Sequence, residues 1–229
     1  MKLLIVHLSD IHLRVKGNPV VAKFPFITKA LQNEEVELDG VIVVVSGDIA
    51  FSGKLSEYTV ATECLQGLQK ELVDKTKVGD IRFVFVPGNH DCDFDRGSNA
   101  RETVISAIRK GISVPVDEGM VELCCNVQNE FFAFRDSFGT PAPTRTEGRM
   151  YWEYSCEKGD TKVLFRCFNT AWLSQLPEQQ GGLFFPEACL SDVEPRTKAD
   201  YYVAVFHHPY NNTRLSILTQ FSMVASVGL

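Results

Sequence analysis

Five short apolar runs, rich in β-branched and aromatic residues, constrain this chain more than any other feature. They are Leu3–Leu8, Val41–Val45, Arg82–Val86, Lys162–Phe168 and Tyr202–Phe206. Each has the length and composition of a buried strand. Helical periodicity fills the gaps. Tyr58, Ala61, Leu65, Leu68 and Leu72 fall at steps of three and four and predict one amphipathic helix over 55–73. Ser98 is placed to N-cap a second helix carrying Val104, Ile105 and Ile108. Val121, Cys124, Cys125, Gln128, Phe131, Phe132 and Phe138 predict a third, closed by "GTPAP" at 139–143. The connection 14–32 is weakly helical, and Pro25 breaks or starts a helix there. Strand and helix alternate through the first hundred residues, so an α/β sheet with helical cover is expected. In the looser stretch 140–186, "EGRMYWEYSCEKGD" and "GGLFFPE" read as loops and a hairpin. No linker divides the chain, and a single domain over 1–229 is expected.

Composition narrows the class. With 229 residues, 45% hydrophobic and 23% charged, the chain has the material for a packed core rather than a disordered tract. A net charge of −6 argues against gripping nucleic acid by bulk electrostatics, while leaving room for a nucleic-acid substrate held at a local site. The apolar run in "MKLLIVHLSD" is too short to span a membrane and lacks a small-residue cleavage site, so no membrane association is expected. Seven scattered cysteines with no C-x-x-C pair read as reduced thiols of a cytoplasmic protein, mostly small buried hydrophobes. Cys92 stands apart because of the residues that precede it.

Four of the five runs end on groups that ligate metals. The first is followed by "SDIH", the second by "SGD", the third by "PGNHD" and the fifth by "HHP". In open α/β sheets ligands bind beyond the carboxyl ends of the strands, so these ends could converge on one site. Asp10 and His12 are two apart, and continued extended backbone would turn both to one side. Gly47 permits a tight turn before Asp48. Asn89 offers an amide oxygen, and His207 and His208 offer imidazole nitrogen. Carboxylate, imidazole and amide together suit Mn, Fe, Zn or Ni better than calcium or magnesium. Four of the five histidines lie in these segments. Each motif has a plainer reading when taken singly: a helix cap, an ordinary Gly-Asp turn, a strand end before proline. The run Gly88–Asp91 is the sharpest, because polar groups after a buried strand are costly unless paired or ligated. His7 points away from Asp10 by strand alternation and reads as a hydrogen-bonded core or sheet-edge histidine. Asp93 and Asp95 read as solvated loop acids, and Arg96 as a phosphate contact.

At these residues the sequence resembles the calcineurin-like metallophosphoesterase superfamily, whose D-x-H, G-D, G-N-H-[DE] and H motifs match Asp10/His12, Gly47-Asp48, Gly88–Asp91 and His207. The resemblance implies a four-layer α/β/β/α sandwich of two mixed sheets flanked by helices. It also implies two divalent metal ions: Asp10 and His12 on one, Asn89 and His207 on the other, and Asp48 bridging them. His208 is the alternative to His207. The implied chemistry is attack by a metal-activated hydroxide on phosphorus. His90 would protonate the leaving oxygen, and Asp91 would orient its imidazole. The family's closing G-H-x-H motif does not occur before Leu229, which reads as truncation or as one domain of a longer protein. That departure keeps a catalytically weak binding or regulatory module open as an alternative. "GDIAFSG" lacks the Asp-Arg pair of the protein phosphatases in G-D-x-V-D-R-G. The resemblance therefore favours the phosphodiesterase and nuclease branch, with a nucleotide or nucleic acid as substrate and a phosphomonoesterase as the other option.

Overall fold

The run at Val41–Val45 becomes the central strand of a parallel sheet because nothing in it needs water. In the computed structural model, which describes residues 1–30, 37–139, 141–178, 182–186, 198–208 and 213–214, strand β2 (Gly40–Ser46) is buried along its whole length. Burying each of its valine side chains contributes roughly 1.5–3 kcal/mol. Strand β1 (Leu3–Leu8) pairs with one edge of β2 and β3 (Ile81–Val86) with the other, both in parallel, with Val6 opposite Val43 and Val43 opposite Phe83. Parallel neighbours in this register bring their carboxyl ends to the same level.

Helix α1 (Phe24–Ala30) carries Pro25 in its first turn, where the fixed φ and missing N–H are tolerated. The remainder of the expected connection, 31–32, lies outside the described residues. Helix α2 (Leu55–Thr76) buries the predicted stripe Tyr58, Ala61, Leu65, Leu68 and Leu72 and ends on Lys77 in the left-handed region. Helix α3 (Asn99–Arg109) begins as expected, with Ser98 Oγ accepting from Arg101 N at 3.2 Å. The third expected helix is divided. Helix α4 (Glu118–Cys125) and helix α5 (Asn129–Ser137) flank a 3-10 turn at Asn126–Gln128. The break lets Phe134 of α5 and Phe138, the residue that caps it, pack on Phe83 and Phe85 of β3, with ring centroids 4.8 to 5.1 Å apart.

A second sheet runs in the order β4 (Arg145–Glu147), β5 (Tyr151–Lys158), β6 (Thr161–Phe168), β8 (Tyr201–Val205). β5 and β6 form the expected hairpin, turning at Gly159-Asp160. The β4–β5 and β5–β6 pairs are antiparallel and β6–β8 is parallel, so this sheet is mixed. Among the described residues the first sheet is wholly parallel. "GGLFFPE", read as loop, contributes β7 (Leu183–Phe184), which pairs with β9 (Thr213–Arg214). The two main sheets share one apolar core, and Trp152 of β5 donates its indole N–H to the carbonyl of Phe85 on β3 at 3.1 Å. The α/β expectation of two sheets with helices therefore holds. Among the described residues no helix is long and apolar enough to cross a membrane.

Candidate metal centre

The site begins where β1 and β2 stop. Beyond Leu8 and Ser46 the two chains keep pairing without being strands: Asp10 N donates to Gly47 O at 3.2 Å, His12 N to Asp48 O at 2.8 Å and Leu13 N to Ile49 O at 2.8 Å. The backbone is not extended here. Asp10, His12 and Asp48 take φ of 56°, 49° and 55°, a left-handed conformation that costs non-glycine residues energy and is held by surrounding contacts. Asp10 and His12 do reach the same side, with Asp10 Oδ1 at 4.0 Å from His12 Nε2, but through paired left-handed residues rather than continued strand alternation.

Asp48 sits at the centre and is buried, its side chain 4% exposed. Its two oxygens face opposite partners: Oδ2 lies 3.6 Å from His12 Nε2 and Oδ1 lies 3.6 Å from His207 Nε2. Oδ1 also accepts a backbone hydrogen bond from His90 N at 2.9 Å. Two glycines make this closeness possible. A Cβ on Gly88 would overlap Asp48 Oδ1, and one on Gly47, at φ 94°, would overlap the His207 ring.

Carbonyl oxygens fix the imidazoles. His207 Nδ1 lies 2.8 Å from Ser46 O, and His90 Nδ1 lies 2.7 Å from Phe51 O. A carbonyl only accepts, so Nδ1 carries the proton in both rings and Nε2 is the nitrogen left for the site. Burial, with the His90 and His207 charges adding to it, pulls the His12 pKa below its ordinary value against the pull of Asp48 and Asp10. A neutral imidazole keeps its lone pair for a metal. His12 Nδ1 is itself buried with no hydrogen-bond partner.

Two clusters share Asp48: His12, Asp48 and His90, and Asp10, Asp48 and His207, each with ligand atoms within 4.8 Å of one another. Nitrogens and carboxylate oxygens at 3.6 Å are too far apart to hydrogen-bond, yet they converge. That spacing and the mixed nitrogen–oxygen set fit a divalent cation between them. Asn89 opens the 3-10 turn Asn89–Asp91, between Gly88 against Asp48 and the His90 N–H bonded to it.

Several expectations need correction. Asp91 does not orient His90; the carbonyl of Phe51 does. Asp91 is completely buried and accepts from Ile49 N at 3.2 Å, Ala50 N at 3.0 Å, Gly88 N at 2.9 Å and Tyr58 Oη at 2.9 Å. Burial pushes its pKa up to about 6, against the hydrogen bonds it accepts. It ties the loop after β2 to the loop after β3. Asp93 is not solvated: it is buried, caps the 3-10 turn Phe94–Arg96, and pairs with Lys54. Asp95 is exposed but also meets Lys54. Arg96 is paired with Glu130 and Asp93, which removes it as a phosphate contact. Cys92 is buried, with its thiol pKa pushed up by burial, an inert environment. His208 is buried away from Asp48, its Nδ1 2.9 Å from Thr170 Oγ1 and its Nε2 3.0 Å from Glu178 Oε2. Of the neighbouring histidines, His207 is the one that faces the site. His7 bonds Ser46 Oγ at 2.6 Å from the exposed side of β1, the sheet-edge role expected of it.

Sequence reasoning missed the carbonyls of Ser46 and Phe51 and the buried Tyr58–Asp91 contact. Backbone acceptors carry no side-chain signal, and Tyr58 was legible only as one residue of a helical stripe.

The family profile for calcineurin-like phosphoesterases matches residues 3–223, nearly the whole chain. The chain belongs to the calcineurin-like phosphoesterase family. No curated protein sequence matches it. As a calcineurin-like phosphoesterase it is a phosphoester hydrolase, and the shared Asp48 cluster is where such an enzyme would hold divalent metal.

Proposed function

We propose that this phosphoesterase hydrolyses phosphodiesters, in a nucleotide or a nucleic acid, at a centre that takes two divalent ions. The observation that carries the reading is the Asp48 carboxylate, with one oxygen turned to His12 Nε2 and the other to His207 Nε2, each at 3.6 Å. A carboxylate so placed would bridge two ions, with Asp10 and His12 holding one and Asn89 and His207 the other, while the Asp10 carboxylate also converges with Asp48 and His207. Bound ions would supply Lewis acidity and a water of lowered pKa.

The protein's own groups do the rest. His90 is held at Nδ1 by Phe51 O, so Nε2 is the nitrogen that takes up and releases a proton on the leaving-group side. The His12 ring stands 4.5 Å from the His90 ring, edge to face. The diester preference is supported by the residues after Asp48. Where the protein phosphatases carry an Asp-Arg pair, this chain places Phe51 and Ser52, leaving an aromatic ring at the rim instead of a second charged pair.

The test is hydrolysis of bis-p-nitrophenyl phosphate against p-nitrophenyl phosphate in added manganese, with metal content measured by elemental analysis. Faster turnover of the diester is expected; activity confined to the monoester would defeat the diesterase reading. His90→Gln is expected to keep its metal, held by Asp10, His12, Asp48 and His207 even though His90 lies in one of the two clusters, and to lose on the order of 10²–10⁴ in turnover. An unchanged rate would remove His90 from the mechanism.

A further inference from the structure

Of the cationic side chains on the strand-end loops or on elements that begin just past them, three are consumed by partners, and Lys16 is exposed on the same loop as Arg14. Lys54 is held between Asp93 and Asp95. Arg96 is held by Glu130 and Asp93. Arg101 is buried, its guanidinium donating to the carbonyls of Cys124, Trp172 and Ser174. Arg14 differs. It is exposed, and among the described residues no carboxylate pairs with it. Its guanidinium carbon lies 3.5 Å from the centre of the Phe51 ring. Phe51 in turn stands 5.5 Å from the His90 ring and 6.3 Å from the His12 ring.

The placement is built rather than accidental. Arg14 N donates to Asn18 Oδ1 at 2.8 Å, and Asn18 Nδ2 donates back to Arg14 O at 2.7 Å, so one asparagine clamps the backbone that carries the arginine. Phe51 N donates to Leu13 O at 3.0 Å, which fixes the ring beside that backbone. A guanidinium lying over an aromatic ring has one face covered while its N–H edges stay free. Those edges form a planar fork that matches two oxygens of a phosphate. The fork sits one ring away from the histidine that meets the leaving group.

We infer that Arg14, presented on Phe51, binds a second phosphate on the leaving-group side of the bond being cut. This rests on the phosphodiesterase reading and deepens it, because it assigns the enzyme substrates with phosphates in series, such as a polynucleotide or a nucleoside bisphosphate. It replaces Arg96 with Arg14 as the phosphate-reading cation.

Calorimetric titration of the manganese-loaded protein with thymidine 3′,5′-bisphosphate and with thymidine 5′-monophosphate tests it. The wild type is expected to bind the bisphosphate about tenfold more tightly, the usual scale for a charge-assisted contact. Arg14→Gln is expected to bring the bisphosphate down to the affinity of the monophosphate. Arg14→Lys should recover part of the difference, as a point charge without the fork, and Arg96→Gln should keep all of it. No preference in the wild type, a preference that survives Arg14→Gln, or an equal loss for both ligands in that variant would each overturn the assignment. The titration needs no turnover. Failure to hydrolyse bis-p-nitrophenyl phosphate would count against the diesterase reading, whereas a missing bisphosphate preference would count against Arg14.

Discussion

The two sheets serve the site unequally. The parallel sheet brings Asp10, His12, Asp48 and Asn89 to one level from three adjacent strand ends, while the mixed sheet delivers His207 alone. Parallel order explains the first. β1, β2 and β3 run the same way in register, so whatever follows each of them emerges at one edge. An antiparallel hairpin sends alternate ends to opposite edges, and β5 therefore opens away from the end where β6 and β8 finish together. What β6 adds is indirect. Thr170, just past its end, takes His208 by a hydrogen bond and leaves the adjacent His207 for Asp48. One sheet is the platform, and the other supplies a single imidazole that faces Asp48 together with the anchor that selects it.

That contrast can be broken by substitution. The largest effect is expected from Asp48→Ala, which removes the shared carboxylate of both clusters. Metal content should fall to background and turnover should drop by on the order of 10³-fold or more, since several kcal/mol of transition-state stabilisation goes with the ions. Full metal content in that variant would mean that Asp48 is not the bridge. Next is Asp91→Ala, which strands three backbone N–H groups and the Tyr58 hydroxyl between the loops of the parallel sheet. Each buried donor left unpaired costs about 1–3 kcal/mol, so the urea midpoint should move far down. Tyr58→Phe, removing one of the four, should move it much less. Equal shifts in the two variants would show that Asp91 is not the clamp.

On the mixed-sheet side, His207→Ala is expected to halve the bound metal. His208→Ala is expected to keep the stoichiometry and to lose about 1–3 kcal/mol of stability with its Thr170 and Glu178 contacts. Metal loss in the His208 variant instead would reverse the assignment of the pair. The smallest effect belongs to His7→Ala. One hydrogen bond at an exposed edge is worth about 1 kcal/mol or less, and metal and turnover should be untouched.

Much of the platform was legible in advance. β2 and β3 are continuous apolar runs because they are buried, and a buried strand has few alternatives in composition, whereas β1 lies at the sheet edge with only Val6 buried despite its apolar run. The stripe on α2 and the Ser98 cap follow equally local rules. The mixed sheet was harder. β5 carries Glu153 between Trp152 and Tyr154 and Ser155 just after them, and its partner strands supply the pairing that makes it a strand, so its pattern read only as part of a hairpin. The break between α4 and α5 falls in the mostly polar stretch Asn126–Glu130, which fits the exposed face of one continuous helix as well as a turn; the need of Phe134 and Phe138 to reach β3 decides it.

The sequence by itself determined which residues could gather at a metal, since ligand chemistry resides in side-chain type and the strand runs place those types at strand ends. Only the tertiary structure decided their roles. Asp91 and Asp48 are the same amino acid at the ends of neighbouring strands, yet one is wrapped by backbone N–H groups while the other faces two imidazoles. His207 and His208 are adjacent in the chain, yet one faces Asp48 and the other Thr170. The physical reason is that a side chain's role is set by the hydrogen-bond partners and charges around it, and here most of those partners lie thirty residues or more away along the chain.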